Sequence, residues 1–145
     1  MRAIIGLGSN LGDRRGHLEA GLQALRRLGE VEASPLVMET EDVTGTGPAY
    51  LNTVVRLDVG LGDPRRLLET LLRLELNLGR DRSAGRYAPR TLDLDLIAVE
   101  GLEGQWAWPA PDDLAALGPE LTLELPHPRA GERAFVQEPW KALDA

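Results

Sequence analysis

The sequence predicts an α+β domain in which a four-stranded antiparallel sheet is backed on one face by two helices, and three observations carry that prediction. The chain has 145 residues, the size of one ordinary domain, 1–145. Its 43% hydrophobic and 27% charged residues are the balance of a globular chain with a real core. Over residues 1–99 the apolar period reads strand, helix, strand, strand, helix, strand, with no internal repeat.

Each element has a local reason. Arg2 to Gly8 carries Ile4, Ile5 and Leu7 and ends in glycine, as a short strand does. From about Arg14 to Leu28, Leu18, Leu22 and Leu25 recur at helical spacing. Val31 to Glu39 reads as a second strand, and Pro35 within it predicts an edge or a bulge. Thr40 to Ala49 is rich in turn formers and reads as a mobile loop. Tyr50 to Val59 alternates: Leu51, Thr53, Val55, Leu57 and Val59 face one way, and Tyr50, Asn52, Val54, Arg56 and Asp58 the other. Asp63 and Pro64 are an N-cap and a first-turn residue, opening a leucine-rich helix that runs to about Leu78. Gly79 to Arg90 is a second polar loop, followed by a strand over Thr91 to Val99. Glu100 to Glu120 is Gly- and Pro-rich and gives no clear period, although Trp106 and Trp108 suit the cover of a hydrophobic edge. A short strand is predicted over Leu121 to Leu125. The order of the first six elements is the ferredoxin-like split arrangement, whose strands usually lie four, one, three, two across the sheet.

Composition removes several functions. The net charge of −7 argues against a general affinity for nucleic acid or acidic membranes. Without cysteine there are no disulfides, thiolate nucleophiles or zinc fingers. His17 and His127 are the only histidines, so a bound ion is expected to take oxygen ligands. No apolar run reaches membrane-spanning length and the amino terminus lacks a secretory pattern, so a cytoplasmic protein is expected. The dinucleotide fingerprint fails for want of a third glycine after Gly6 and Gly8, and no P-loop motif is present.

The densest chemical signal is Arg90 to Ile97, R-T-L-D-L-D-L-I. Leu92, Leu94 and Leu96 share one face of the strand, and Asp93, Asp95 and Ile97 the other. The Cα atoms of the two aspartates are about 6–7 Å apart, two strand steps. At that distance two like charges repel by about 2–3 kcal/mol at an effective dielectric near 20. Magnesium would relieve this, because it takes one or two carboxylates together with substrate phosphates. An edge strand charged on its wet face to block aggregation has the same pattern. The sheet topology favours a site: Gly8-Ser9-Asn10 ends strand one where Tyr50 and Asn52 begin strand three and Asp93 and Asp95 begin strand four. Gly6 and Gly8 leave room there.

Four arginines, Arg80, Arg82, Arg86 and Arg90, stand in the second loop against the single acid Asp81. Guanidinium forks beside paired carboxylates suit a polyphosphate, although ordinary solvated arginines would read the same way. Glu75 interrupts an apolar helical arc; it turns either toward those arginines and the metal or out to solvent at the helix margin. Aromatic residues are only 4%, so Tyr50 in the corner, Tyr87 in the arginine loop and the lone Phe135 are candidates to stack on a flat ring.

Arg86 to Ile97, R-Y-A-P-R-T-L-D-L-D-L-I, resembles the signature of hydroxymethyl-dihydropterin pyrophosphokinases of folate biosynthesis. G-S-N-L-G-D at Gly8 to Asp13, Y-L-N at Tyr50 to Asn52, E-L-N-L-G-R at Glu75 to Arg80 and P-H-P-R-A-G-E-R-A-F-V at Pro126 to Val136 also match in order, across nearly the whole chain. The resemblance implies a ferredoxin-like αβα sandwich with a C-terminal extension, and transfer of diphosphate from ATP to the pterin hydroxymethyl group with release of AMP. It implies that Asp93 and Asp95 hold two magnesium ions. Arg80 and Arg90 would act on the phosphates, with Glu75, Arg82, Tyr87, His127 and Arg133 also on the ATP side. Tyr50 and Phe135 would stack on the pterin, and Asn52, with the backbone from Thr40 to Val43, would bind its edge.

The chain departs from the family in places. Tyr87 replaces a frequent tryptophan, Gly131 replaces a frequent histidine, the Glu100–Glu120 insertion is long, and an arginine that some members carry before Pro126 is missing. The expected partners are the two small-molecule substrates, with no nucleic acid or membrane, and a monomer is expected. The main rival is a non-enzymatic ferredoxin-like module that binds RNA. Its usual aromatic sheet platform is missing here. A metal-dependent phosphotransferase with another acceptor is the second rival.

Overall fold

The computed structural model of the chain describes residues 1–10, 12–41, 49–78 and 92–144. Its elements are β1 (Arg2–Ser9), α1 (Arg14–Arg26), β2 (Gly29–Ala33), β3 (Met38–Thr40), β4 (Tyr50–Val59), α2 (Pro64–Leu78), β5 (Asp93–Val99), β6 (Gly104–Pro109), β7 (Glu120–Leu125) and α3 (Ala134–Asp144). The main sheet runs β2–β4–β1–β5, with β3 paired to the other half of β4, and every pairing is antiparallel. This is the predicted four, one, three, two order, with the second strand in two pieces.

Ser34 and Pro35 divide that strand. The Ser34 N–H still reaches the Val54 carbonyl at 2.9 Å, but its Oγ accepts the Leu36 N–H at 3.2 Å, and Thr53 Oγ1 donates to the Leu36 carbonyl at 2.9 Å. Side chains thus satisfy backbone groups that a proline-interrupted ladder cannot. Both helices start where expected. Asp13 Oδ1 accepts the Gly16 N–H and Asp63 Oδ1 the Arg65 N–H, each at 3.0 Å. Helix α1 stops at Arg26, short of Leu28. Arg27 and Leu28 bond three residues back, to Ala24 and Leu25, and tighten the last turn.

The core lies between the sheet and these helices. Ile5 and Leu7 of β1, Val55 and Leu57 of β4, and Leu94 and Leu96 of β5 meet Leu25 of α1 and Leu67 and Leu71 of α2. A fully buried aliphatic side chain contributes about 1.5–3 kcal/mol relative to exposure, so this layer fixes which face of β5 looks inward. Asp93, Asp95 and Ile97 therefore look the other way.

The segment without a clear period is a β6–β7 hairpin. Trp106 and Trp108 pack on the rim of the core, as expected of edge covers, and Leu121, Leu123 and Leu125 are buried. The Trp108 indole N–H donates to Glu69 Oε2 at 3.0 Å, and Arg66 Nη1 lies 3.2 Å from Glu69 Oε1, so a carboxylate only 2% exposed has both oxygens occupied. Among the described residues, no helix is long and apolar enough to cross a membrane.

One expectation is corrected. Reading helices on a single face left the opposite face of the sheet open, but α3 lies across part of it. Val136, Phe135, Trp140 and Leu143 pack with Ile4, Val54 and Ile97 in a second apolar cluster, and Ser34 Oγ donates to the Pro139 carbonyl at 2.7 Å. The α3 layer completes a helix–sheet–helix sandwich and leaves the corner at Gly6 and Gly8 uncovered.

Candidate active site

That corner is built by register. Gly8 pairs with Asn52 on one side and Asp93 on the other, and Gly6 pairs with Asp95. A Cβ added at Gly8 would stand 3.1 Å from Asn52 Oδ1 and 3.7 Å from the Tyr50 ring, and one at Gly6 would meet Ile97 at 3.4 Å and the Asp95 Cβ at 3.8 Å. The two glycines are the floor of a cavity of about 440 Å³. Thr40, Tyr50 and Asn52 form one wall, Asp93 and Asp95 another, and Arg133 with Phe135 the side toward α3.

Each wall has its own support. Asn52 is buried, and its amide Nδ2 donates to Thr40 Oγ1 at 2.9 Å, across the pairing that joins β3 to β4. A fixed amide beside a tyrosine ring can read the polar edge of a flat heterocycle. The Arg133 guanidinium stacks over the Phe135 ring, 5.5 Å from its centroid. Asp93 is half-buried and Asp95 exposed, on adjacent outward positions of an edge strand. Among the described residues no cluster of three or more His, Cys, Asp or Glu is present. Among the described residues, this pair supplies the carboxylates for a cation, and water or substrate can supply further ligands. Two hard carboxylates completed by phosphate oxygens are the donor set magnesium takes, so the residues fit that ion.

Glu75 is 7% exposed, and its Oε1 accepts the Leu94 N–H at 2.7 Å. The solvent-facing alternative is thereby excluded: the side chain points to β5, at the residue between Asp93 and Asp95. As an edge strand, β5 has N–H groups with no neighbouring strand, and this carboxylate satisfies one of them. His127 does not line the cavity. Its backbone N–H bonds the Ile97 carbonyl at 2.7 Å, and its Nδ1 accepts the Arg129 N–H at 3.2 Å, which places the proton of a neutral ring on Nε2. Val43, Arg80, Arg82, Tyr87 and Arg90 lie outside the described residues.

The cavity also takes in Glu41, within the Thr40–Val43 stretch, and Arg129, which the reading of the sequence passed over. Arg129 stands inside the P-H-P-R run two residues after His127, so the signal was an arginine in a quoted motif.

The chain is similar to known proteins over nearly its whole length. Residues 4–145 match the family described as 7,8-dihydro-6-hydroxymethylpterin-pyrophosphokinase. The chain belongs to this family. It is 35% identical to 2-amino-4-hydroxy-6-hydroxymethyldihydropteridine pyrophosphokinase of Mycobacterium leprae, over 99% of this chain and 72% of that protein. For the protein of that name from Pseudomonas aeruginosa the identity is 36%, over 95% and 77%, and for that from Bacillus subtilis 34%, over 94% and 74%. Membership of the hydroxymethylpterin pyrophosphokinases makes the chain an enzyme of folate biosynthesis with a ferredoxin-like fold.

Proposed function

We propose that this chain transfers the terminal diphosphate of ATP to the hydroxymethyl group of hydroxymethyl-dihydropterin, with the ring held between Tyr50 and Phe135 and its edge read by Asn52 and Thr40. The observation that carries the reading is the meeting, above two glycines, of a carboxylate pair and a ring-sized pocket, so a phosphate chain and a flat acceptor can touch.

Asp93 and Asp95 would hold the magnesium, two ions in this reading, which when bound neutralises charge on the phosphates and lowers the pKa of a hydroxyl beside it. The residues of the chain supply position. Asn52 and Tyr50 fix the ring so that its hydroxymethyl oxygen faces the carboxylate wall. That oxygen attacks the β-phosphorus in line, the bond from the β-phosphorus to the α-bridging oxygen breaks, AMP leaves and the hydroxyl proton passes to solvent. Arg133 contributes charge at the α3 side of the cavity, and Arg80, Arg82 and Arg90, with Tyr87 and His127, complete the nucleotide side, to which Glu75 contributes by holding β5 at Leu94. The backbone from Thr40 to Val43 completes the pterin edge. The same reading has the enzyme work as a cytoplasmic monomer, with no nucleic-acid or membrane partner.

Incubation with ATP, magnesium and hydroxymethyl-dihydropterin should release AMP in step with loss of the acceptor. Absence of AMP, or equal AMP release without the pterin, would reject the assignment.

A further inference from the structure

We propose that Arg14 is a positioning residue for the ring pocket, clamping the loop end of the β3–β4 hairpin to the start of α1. The inference rests on the reading of that pocket as the pterin site. Arg14 opens α1 and reaches across to the hairpin, where its Nη1 donates to the Ala49 carbonyl at 2.8 Å and lies 3.7 Å from Glu39 Oε1. Ala49 immediately precedes β4 and Glu39 belongs to β3, so one guanidinium holds both arms. The next residue on each arm, Tyr50 and Thr40, forms the closing pair of the hairpin and lines the cavity.

The clamp has a firm side and a weak side. Helix α1 is anchored by its Asp13 cap, by Leu18 and Leu25 in the core, and by His17, whose Nδ1 lies 3.4 Å from the Oγ of fully buried Ser9. Strand β3 has three residues, an edge position and three paired partners. Short edge pairings of this kind open locally before the fold as a whole does. An exposed arginine–carboxylate pair alone contributes little. Here, however, the Arg14 side chain is 30% exposed and its shorter contact is to a backbone carbonyl, so it fixes the main chain one residue from Tyr50. Asn52 inherits that order through its 2.9 Å bond to Thr40.

The consequence is a selective one. Loss of the clamp should loosen the pterin wall and leave the carboxylate wall, built on β1 and β5, in place. Arg14→Ala should raise the KM for hydroxymethyl-dihydropterin, and its Kd measured by calorimetry with a non-hydrolysable ATP analogue, about tenfold, the equivalent of one charge-assisted bond. The KM for ATP should stay within about twofold and the melting temperature within a few degrees. Arg14→Lys, which can reach the Ala49 carbonyl but not both arms, should recover most of the pterin affinity. An unchanged pterin KM in Arg14→Ala, or an equal rise in both KM values, would overturn the proposal. So would a fall in affinity that tracks a fall in melting temperature across the two variants. Wild-type enzyme that forms no AMP would reject the functional reading instead, so the two failures are distinguishable.

Discussion

Gly8→Ala adds one methyl group at the centre of the corner. Gly8 does not have a positive φ, so alanine can keep the strand backbone, and the gain from a less flexible unfolded chain is about 0.4–1 kcal/mol. Against it, the new Cβ would lie 3.1 Å from Asn52 Oδ1, tighter than ordinary contact, so the amide must shift by a few tenths of an ångström. Asn52 is buried and bonded to Thr40 Oγ1 at 2.9 Å, and weakening that bond costs about 1 kcal/mol. These effects oppose each other and are similar in size. Folding stability should therefore change by less than about 1 kcal/mol, a melting shift under about 4 °C. The pocket has no such compensation: the methyl group takes floor space and moves the amide that reads the ring edge. Loss of one hydrogen bond there corresponds to about tenfold in affinity. Steady-state kinetics with each substrate varied in turn should show the pterin KM rising about tenfold and the ATP KM little changed. A Gly8→Ala enzyme with unaltered pterin KM would mean that the ring does not lie over Gly8, and the pocket assignment would fail with it.

Asp95→Ala should leave the binding of hydroxymethyl-dihydropterin nearly intact in calorimetry and abolish AMP release; normal turnover would contradict the metal role. Trp108→Phe removes one of the two donors to the buried Glu69 carboxylate and should cost about 1–3 kcal/mol, lowering the melting temperature by about 3–8 °C in differential scanning calorimetry with kcat unchanged. The Arg73 guanidinium, hydrogen-bonded to Asp113, holds that carboxyl below its ordinary range. A depressed carboxylate stabilises the fold above its unfolded pKa and loses that contribution as pH falls through the folded one. The small melting difference between wild type and Asp113→Asn should therefore persist at pH 6 and vanish in strong acid, and a difference that grows in acid would reverse the sign of the pair.

Period and punctuation made most of the fold legible. The alternation of β4 and the leucine rows of α1 and α2 report burial on one face, and that burial decides the register. Helix α3 left a weaker trace. It has 11 residues, carries Pro139 in its interior and follows the prolines at 126 and 128, so breaker residues outweigh the row of Phe135, Val136, Trp140 and Leu143. Strand β6 hid for a related reason: its tryptophans alternate correctly, but Gly104 and Pro109 bound a run of only six residues. Within the candidate site, the carboxylates and the ring wall were readable because a strand period of two dictates which side chains share a face. The direction taken by Glu75 was not, since a helical wheel shows that a charge interrupts an apolar arc and not which backbone donor awaits it. Arg14 gave no signal at all, because its partners Glu39 and Ala49 come close only when the hairpin folds back.

A carboxylate pair on an edge strand faces two demands that pull apart. In the proposed function the outward face must stay open to phosphate and metal, while the strand must be rigid enough that two like charges on Cα atoms about 6–7 Å apart keep their separation. The pairing of β5 with β1 supplies rigidity on one side only. On the free edge, no second strand is paired with β5 among the described residues. A helix can supply a single acceptor instead, and α2 does so with Glu75, which engages the Leu94 N–H from the core side while Asp93 and Asp95 look away. The burial that makes Glu75 anomalous on a helical wheel is what lets it act there, because a solvated carboxylate would exchange that N–H for water. On the opposite side of the cavity the same problem is met differently. A long side chain from α1 reaches round to hold the loop end of the thin β3 edge. Both walls of the corner are thus fixed from α1 and α2, the helices that fill the main core, so the geometry of the site is tied to the layer that packs that core.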